Sequence, residues 1–234
     1  MGSSRLPGKV LLEIEGQSML ARVVGRAGRA RTIDRVIVAT TTRPQDDPLA
    51  EHARALGVDV FRGEEDDVLD RYYRAAAEYA LDVVVRITSD CPLLDPDLTD
   101  AVVRLLLDAK GPVDYAANTL RRTYPRGLDV EAVPFATLER VWREAVSFHE
   151  RAHVFPYLYE HPELFHMAGT ADAVDRSEMR WTVDTAEDLA FVRAVCRAIG
   201  AREFGWIDVL KTLEAQPELL RINALVQQKS AHDR

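Results

Sequence analysis

The sequence predicts an α/β fold, and two features predict it. Short apolar, β-branched runs alternate with helical patterns along the chain. The clearest runs are continuously apolar rather than alternating, as a parallel sheet covered on both faces requires. A length of 234 residues suits one such domain. Val36-Ile37-Val38-Ala39-Thr40 reads as a buried strand, Val58-Asp59-Val60-Phe61 as a shorter one, and Val83-Val84-Val85-Arg86-Ile87-Thr88 as the third. Helical patterns fill residues 48–56, 68–79 and 96–109. Asp95-Pro96 opens the last of these with a cap residue and a first-turn proline. Gly57 and Gly111 stand where helices end in glycine. The resulting β-α-β-α-β order is that of a doubly wound sheet.

The second half is more mixed. Residues 115–118, 128–133, 164–168 and 179–183 read as strands, and 137–145, 150–159, 186–199 and 207–214 as helices. Residues 1–222 form one domain with no linker inside it, and 223–234 a polar, frayed tail. No apolar run reaches the length of a membrane span and no signal-peptide core is present, so a soluble, cytoplasmic protein is expected. Cys91 and Cys196 lie far apart without a C-x-x-C, which indicates neither a disulfide scaffold nor a zinc site. A net charge of −8 argues against general nucleic-acid binding.

The N-terminus, Met1-Gly2-Ser3-Ser4-Arg5-Leu6-Pro7-Gly8-Lys9, carries small residues through which backbone N–H groups can approach an anion closely. Arg5 adds a planar fork for phosphate oxygens, and Lys9 a compact charge. Only four of the 30 basic residues are lysines, so a lysine in this loop is informative. A flexible basic terminus explains these nine residues equally simply, and neither G-x-x-x-x-G-K-[ST] nor G-x-G-x-x-G is present.

Asp90 closes the strongest strand, in Ser89-Asp90-Cys91-Pro92, where ligands of open α/β sheets bind; it is placed for a metal or for capping the next turn. Asp184 follows the run Trp181-Thr182-Val183. Taken alone, Asp184 or Thr185 caps the helix that follows, with Glu187 completing a capping box. Convergence of Asp90 and Asp184 on one Mg²⁺ is the condition for a metal role, since magnesium takes one or two carboxylates plus water and phosphate oxygens. Asp129 and Glu131 alternate onto one face of a strand, either to orient substrate hydroxyls or a second metal, or as a solvated face. Glu64 to Asp67 read as helix-dipole partners, and Arg71 as a residue able to reach a nucleotide. His149-Glu150-Arg151-Ala152-His153 spells H-E-x-x-H, but the α/β context and the anion loop fit a zinc protease poorly.

The stretches MGSSRLPGKVL, VIVATT, VFRGEEDDVLDRYYRAA, VVRITSDCPLLDP, DYAAN, PRGLDVEAV, RAHVFPY and RWTVDTAEDL, in this order, resemble the SpsF-like spore coat polysaccharide cytidylyltransferases. These are relatives of the synthetases that make CMP-activated acidic sugars such as CMP-KDO and CMP-sialate. The resemblance implies a mixed, mostly parallel sheet flanked by helices, nucleotide-diphospho-sugar transferase-like and Rossmann-like. It implies CTP and a sugar as substrates, Mg²⁺ as cofactor and, by analogy with related enzymes, a homodimer. It places the CTP triphosphate on Gly2, Ser3, Ser4, Arg5 and Lys9, with Arg5 and Lys9 catalytic. Arg71, Thr88 and Ser89 lie near the nucleotide, Asp90 and Asp184 hold Mg²⁺, and Asp129 and Glu131 face the sugar. A sugar oxygen then attacks the α-phosphorus in line and pyrophosphate leaves, stabilised largely by positioning and electrostatics.

Two departures accompany the resemblance. The family's loop normally follows a hydrophobic strand ending in Ala-Arg, so the first strand is missing here and the expectation is a natural protein that starts further upstream. Ala152 stands where the family often has Glu. Two alternative readings follow: a non-catalytic or truncated remnant acting as a binding module, and a glycosyltransferase of the same fold using a nucleotide-sugar donor.

Overall fold

The computed structural model describes Ser3 and residues 5–228. A short hairpin, β1 (Glu13–Ile14) and β2 (Gln17–Ser18), leads into α1 (Met19–Ala27). Both hairpin-turn residues, Glu15 and Gly16, have positive φ, the twist that a two-residue loop requires. Ser18 then caps α1 by accepting the N–H of Ala21. The chain continues through β3 (Ile37–Thr41), α2 (Asp47–Ala55), β4 (Asp59–Gly63), α3 (Val68–Glu78), β5 (Val83–Arg86) and α4 (Pro96–Leu107). This is the alternation read from the sequence, with Asp95 capping α4 through the Leu98 N–H.

Beyond α4 the strands shorten to β6 (Tyr115–Ala117), β7 (Glu131–Pro134) and β8 (Met167–Gly169). The helices here are α5 (Phe135–Glu144), α6 (Phe148–His153), α7 (Pro156–Glu160), α8 (Ala186–Ile199) and α9 (Trp206–Ala215). β3 pairs with β4 in parallel. A second sheet has the order β5-β7-β6-β8, with β7 antiparallel to both neighbours and β8 parallel to β6. The mixed sheet is flanked by helices as expected, but its described ladders fall into two sets. Among the described residues no strand pairs with the other edge of β3 or of β5.

Three segments depart from their sequence pattern. The helix expected over 150–159 is two helices, because Phe155 precedes Pro156 and a pre-proline residue is pushed out of helical geometry; Val154 turns with φ +78. Residues 179–183 form an extended span rather than a strand. It is tied by one bridge, Arg126↔Arg180, and by bonds from Arg126 N to Met179 O and from Trp181 N to Arg126 O. The ladder stops there because its partner turns at Gly127, where φ is +105. The tail is anchored at its start: the Asn223 amide donates to Arg180 O and to Asp188 Oδ1. Among the described residues no helix is long and apolar enough to cross a membrane.

A core around Trp181, Phe191, Val192 and Val209 packs α8 and α9 against the extended span. This places residues 180–184 beside the loop that follows β5. Gly127 makes the approach possible, since a Cβ there would lie 2.7 Å from the backbone of Trp181 and Thr182. We expect Gly127→Ala to cost about 2–4 kcal/mol through positive-φ strain and backbone overlap. Thermal denaturation should show a fall of roughly 5–15 °C; an unchanged midpoint would mean that the span is not held against this turn.

Candidate functional site

Four residues singled out in the sequence meet at the end of β5. The Lys9 Nζ donates to Asp90 Oδ2, Asp184 Oδ1 and the Val183 carbonyl, each at 2.8 Å. Arg5 reaches the other oxygen of Asp184 at 3.1 Å. Local structure sets this up: Gly8, in the left-handed region with φ 68, turns the chain into a 3-10 turn over Lys9–Leu11. Ser3 Oγ accepts the Leu6 N–H and tightens the same loop. Gly2 and Ser4 lie outside the described residues.

Asp184 is released from the capping role that the sequence left open, because Thr185 caps α8. Asp95 caps α4, while the Asp90 carboxylate accepts from Lys9 and from the Cys91 thiol and its carbonyl accepts the Val183 N–H. At α8 the capping box is Thr185 with Asp188, not with Glu187, because Asp188 is the third helical residue and its carboxylate reaches the Thr185 N–H. Asp188 also accepts the Asp184 N–H and a two-point bond from Arg180 at 2.9 and 3.0 Å. Arg180 Nη2 continues to Asp184 Oδ2 at 2.7 Å. The sequence reading missed Arg180 and Asp188. Their spacing of four from Asp184 was visible, but 180–184 is not helical, so the usual meaning of that spacing does not apply.

Charge follows geometry. Burial alone lowers the Lys9 pKa, but Asp90 and Asp184 outweigh it and the net shift is upward. Burial alone raises the Asp184 carboxyl, yet Lys9, Arg180 and Arg5 hold it below the ordinary carboxylate value. Three cations and three carboxylates thus alternate through Arg5, Lys9 and Arg180 against Asp90, Asp184 and Asp188.

The remaining expected site residues are less gathered. Thr88 and Ser89 line a cavity together with Arg71. The Arg71 guanidinium bonds the carbonyls of Glu64 and Glu65, and burial lowers its pKa. Asp129 precedes the ladder and is held bidentately by Arg122 at 2.7 and 2.6 Å. Glu131 does not share a solvated strand face with it. Its carboxylate is buried, 5% exposed, and committed to Arg86, Tyr115 and Tyr159. The Glu150 carboxylate of the H-E-x-x-H run caps its own helix through Ser147. Among the described residues no group of three or more His, Cys, Asp or Glu could hold a metal. The oxygens of Asp90, Asp184 and Val183 nonetheless already surround one cation, the Lys9 ammonium. An all-oxygen set with two carboxylates fits magnesium's protein ligands.

A basic loop and two convergent carboxylates meet beyond the end of a strand, on the side where open α/β sheets bind their ligands. The chain belongs to the cytidylyltransferase family, which matches residues 1–227, and is therefore a nucleotidyltransferase. It is 36% identical to a Methanocaldococcus jannaschii protein over 98% of this chain and 93% of that one. It is 31% identical to the Bacillus subtilis spore coat polysaccharide biosynthesis protein SpsF, over 86% of this chain and 85% of SpsF. A cytidylyltransferase structure from Leptospira borgpetersenii superposes with a TM-score of 0.91 at 33% identity, covering 98% of this chain and 95% of the other.

Asp188→Ala removes the two-point partner of the buried Arg180, leaving it Asp184 alone among carboxylates, and should cost about 3–5 kcal/mol in urea unfolding. Asp184 and Asp188 both have depressed folded pKa values. Their contribution is complete above the unfolded carboxylate value of about 3.9 and is lost as pH falls below it through the folded values. The stability of Asp188→Asn should therefore fall less steeply with acid than that of the parent; equal slopes from pH 5 to 2 would contradict the pairing.

Proposed function

We propose that this protein is a magnesium-dependent cytidylyltransferase that transfers CMP from CTP to an acidic sugar and releases pyrophosphate, in the making of a surface polysaccharide. The observation that carries the reading is the meeting of Lys9 and Arg5 with Asp90 and Asp184. Relatives support the substrate class. Proteins named 3-deoxy-manno-octulosonate cytidylyltransferase match 44% and 66% of this chain, at 40% and 36% identity. SpsF, by its name, supports the polysaccharide role.

In this reading a sugar oxygen attacks the α-phosphorus in line, and negative charge grows on the bridging and leaving oxygens. Arg5, held on Asp184, offers its fork to those oxygens. Lys9 turns from its carboxylate partners to give the same oxygens its point charge. Asp90 and Asp184 are the residues that would hold Mg²⁺, which supplies neutralisation of the phosphate charge. Arg180 and Asp188 keep Asp184 oriented. Thr88, Ser89 and Arg71 flank the nucleotide, while Asp129, held by Arg122, faces the sugar. Glu131, committed to Arg86, Tyr115 and Tyr159, holds β7 against its neighbours.

The test is pyrophosphate release from CTP, Mg²⁺ and 3-deoxy-manno-octulosonate or other 2-keto acid sugars. Lys9→Ala and Asp90→Ala should each lower the rate by roughly 10²–10³-fold, as loss of one preorganised electrostatic group does. CTP at 100-fold its dissociation constant should also stabilise the fold by about 2.7 kcal/mol, and ATP and GTP should not. Absence of both stabilisation and release would overturn the proposal and favour the non-catalytic binding module.

A further inference from the structure

A cavity of about 580 Å³ opens between α1, the end of α8 and the segment leading to α9, and no residue of the Lys9 cluster lines it. Five arginines do: Arg22 and Arg26 of α1, Arg29 just beyond it, Arg197 near the end of α8, and Arg202. Two carboxylates, Glu15 and Glu203, line it as well. A net charge of −8 on the chain makes so dense a group of cations notable.

Three of the five have acidic partners. Arg29 pairs with Glu203 at 3.0 Å, Arg197 with Glu15 at 2.9 Å and Arg202 with Asp208 at 3.3 Å. Arg22 and Arg26 pair with no carboxylate among the described residues. Backbone carbonyls hold them instead. Arg22 Nε and Nη2 donate to Ile14 at 2.8 Å and to Glu15 at 3.4 Å. Arg26 Nε and Nη2 donate to Leu94 and, at 2.9 Å, to Phe204. In both, Nη1 makes no hydrogen bond to a described residue.

Carbonyls orient a guanidinium without neutralising it, and like charges four apart on one helix face repel. Arg26 is only 5% exposed and lies over the Phe204 ring, 4.5 Å from its centroid. Burial, then Arg29 and Arg22, push its pKa down to about 10 against the pull of Asp95. A helix C-terminus favours cations, which accounts for Arg26 in the last turn of α1 but not for Arg22 a turn earlier. Ordered, desolvated and unneutralised arginines are the recognition end of an anion site, and little side-chain freedom is lost when they bind. One fork satisfies a planar carboxylate, whereas a tetrahedral phosphate presents oxygens in several directions and suits donors from more than one element. The volume is that of a small-molecule pocket.

We propose that this cavity is a second anion site, separate from the Lys9 cluster. It takes the phosphate group of a small metabolite on Arg22 and Arg26, with Arg202 contributing from the segment before α9.

Nuclear magnetic resonance of the arginine Nε–H groups tests this on the full chain without magnesium, because each site then has its own reporters. Arg22 and Arg26 report the cavity, and Arg180 reports the Lys9 cluster. Inorganic phosphate at about pH 8 should shift the Arg22 and Arg26 signals saturably, and malonate, also a dianion there, should bind at least about fivefold more weakly. Arg22→Gln and Arg202→Gln should each weaken phosphate binding read at Arg26 by about tenfold, as loss of a charge-assisted bond does. Arg22 and Arg26 signals that stay in place while phosphate is added, whether or not Arg180 moves, would overturn the proposal. So would unchanged affinity in both glutamine variants. Equal affinity for malonate would overturn the assignment to phosphate.

Discussion

One ammonium group organises the functional end of this molecule. Lys9 draws Asp90, from the segment after β5, and Asp184, from just before the cap of α8, to the same point, and takes the Val183 carbonyl as its third acceptor. These residues are more than 80 and 170 positions from Lys9 in sequence. Charge-assisted bonds at 2.8 Å in a half-buried setting are the strong kind, and they close three distant segments into one site. Arg5 and Arg180 brace Asp184 from its other oxygen, and Asp188 braces Arg180. The lysine thus stands where a divalent cation with phosphate ligands could stand. In the function we propose, the same side chain serves two states: it ties the carboxylates together before the nucleotide arrives and turns to phosphate afterwards.

The packing behind this point explains why the segments arrive there. Gly127 lets the chain pass within contact of Trp181 and Thr182, and the core around Trp181 and Phe191 holds α8 against that span. On the other side, the Glu131 carboxylate gathers Arg86, Tyr115 and Tyr159 from β5, β6 and α7. Burial and that carboxylate push both tyrosine pKa values up, so they remain donors. This network ties β5 to the rest of its sheet, and among the described residues no strand pairs with its other edge.

Much of this was legible in the sequence where local rules and tertiary structure agree. The continuous apolar runs at β3, β4 and β5 and the caps at Asp95 and Thr185 all stand. Asp90 and Asp184 were visible as strand-end carboxylates, but their convergence was not, because it depends on Lys9 bridging segments far apart in sequence. The hairpin went unread because β1 and β2 are two residues each, too short for a period-2 pattern; α1 was legible in its apolar spacing and its Ser18 cap but was not read. Glu131 was misplaced because the ladder starts at that residue, so alternation with Asp129 does not hold. The span 179–183 is apolar like a strand, but Gly127 ends its pairing after one bridge.

The convergence of two carboxylates on Lys9 is tested most directly by the binding of Mn²⁺, as a spectroscopic substitute for Mg²⁺, without nucleotide. Electron paramagnetic resonance would compare the parent protein with Lys9→Met. A unit charge some 4 Å away at an effective dielectric of about 20 is worth several kcal/mol. Removing the competing ammonium should therefore tighten Mn²⁺ binding at least tenfold. Binding in Lys9→Met that is equal to or weaker than in the parent would show that the two carboxylates do not form a cation site in the lysine's place.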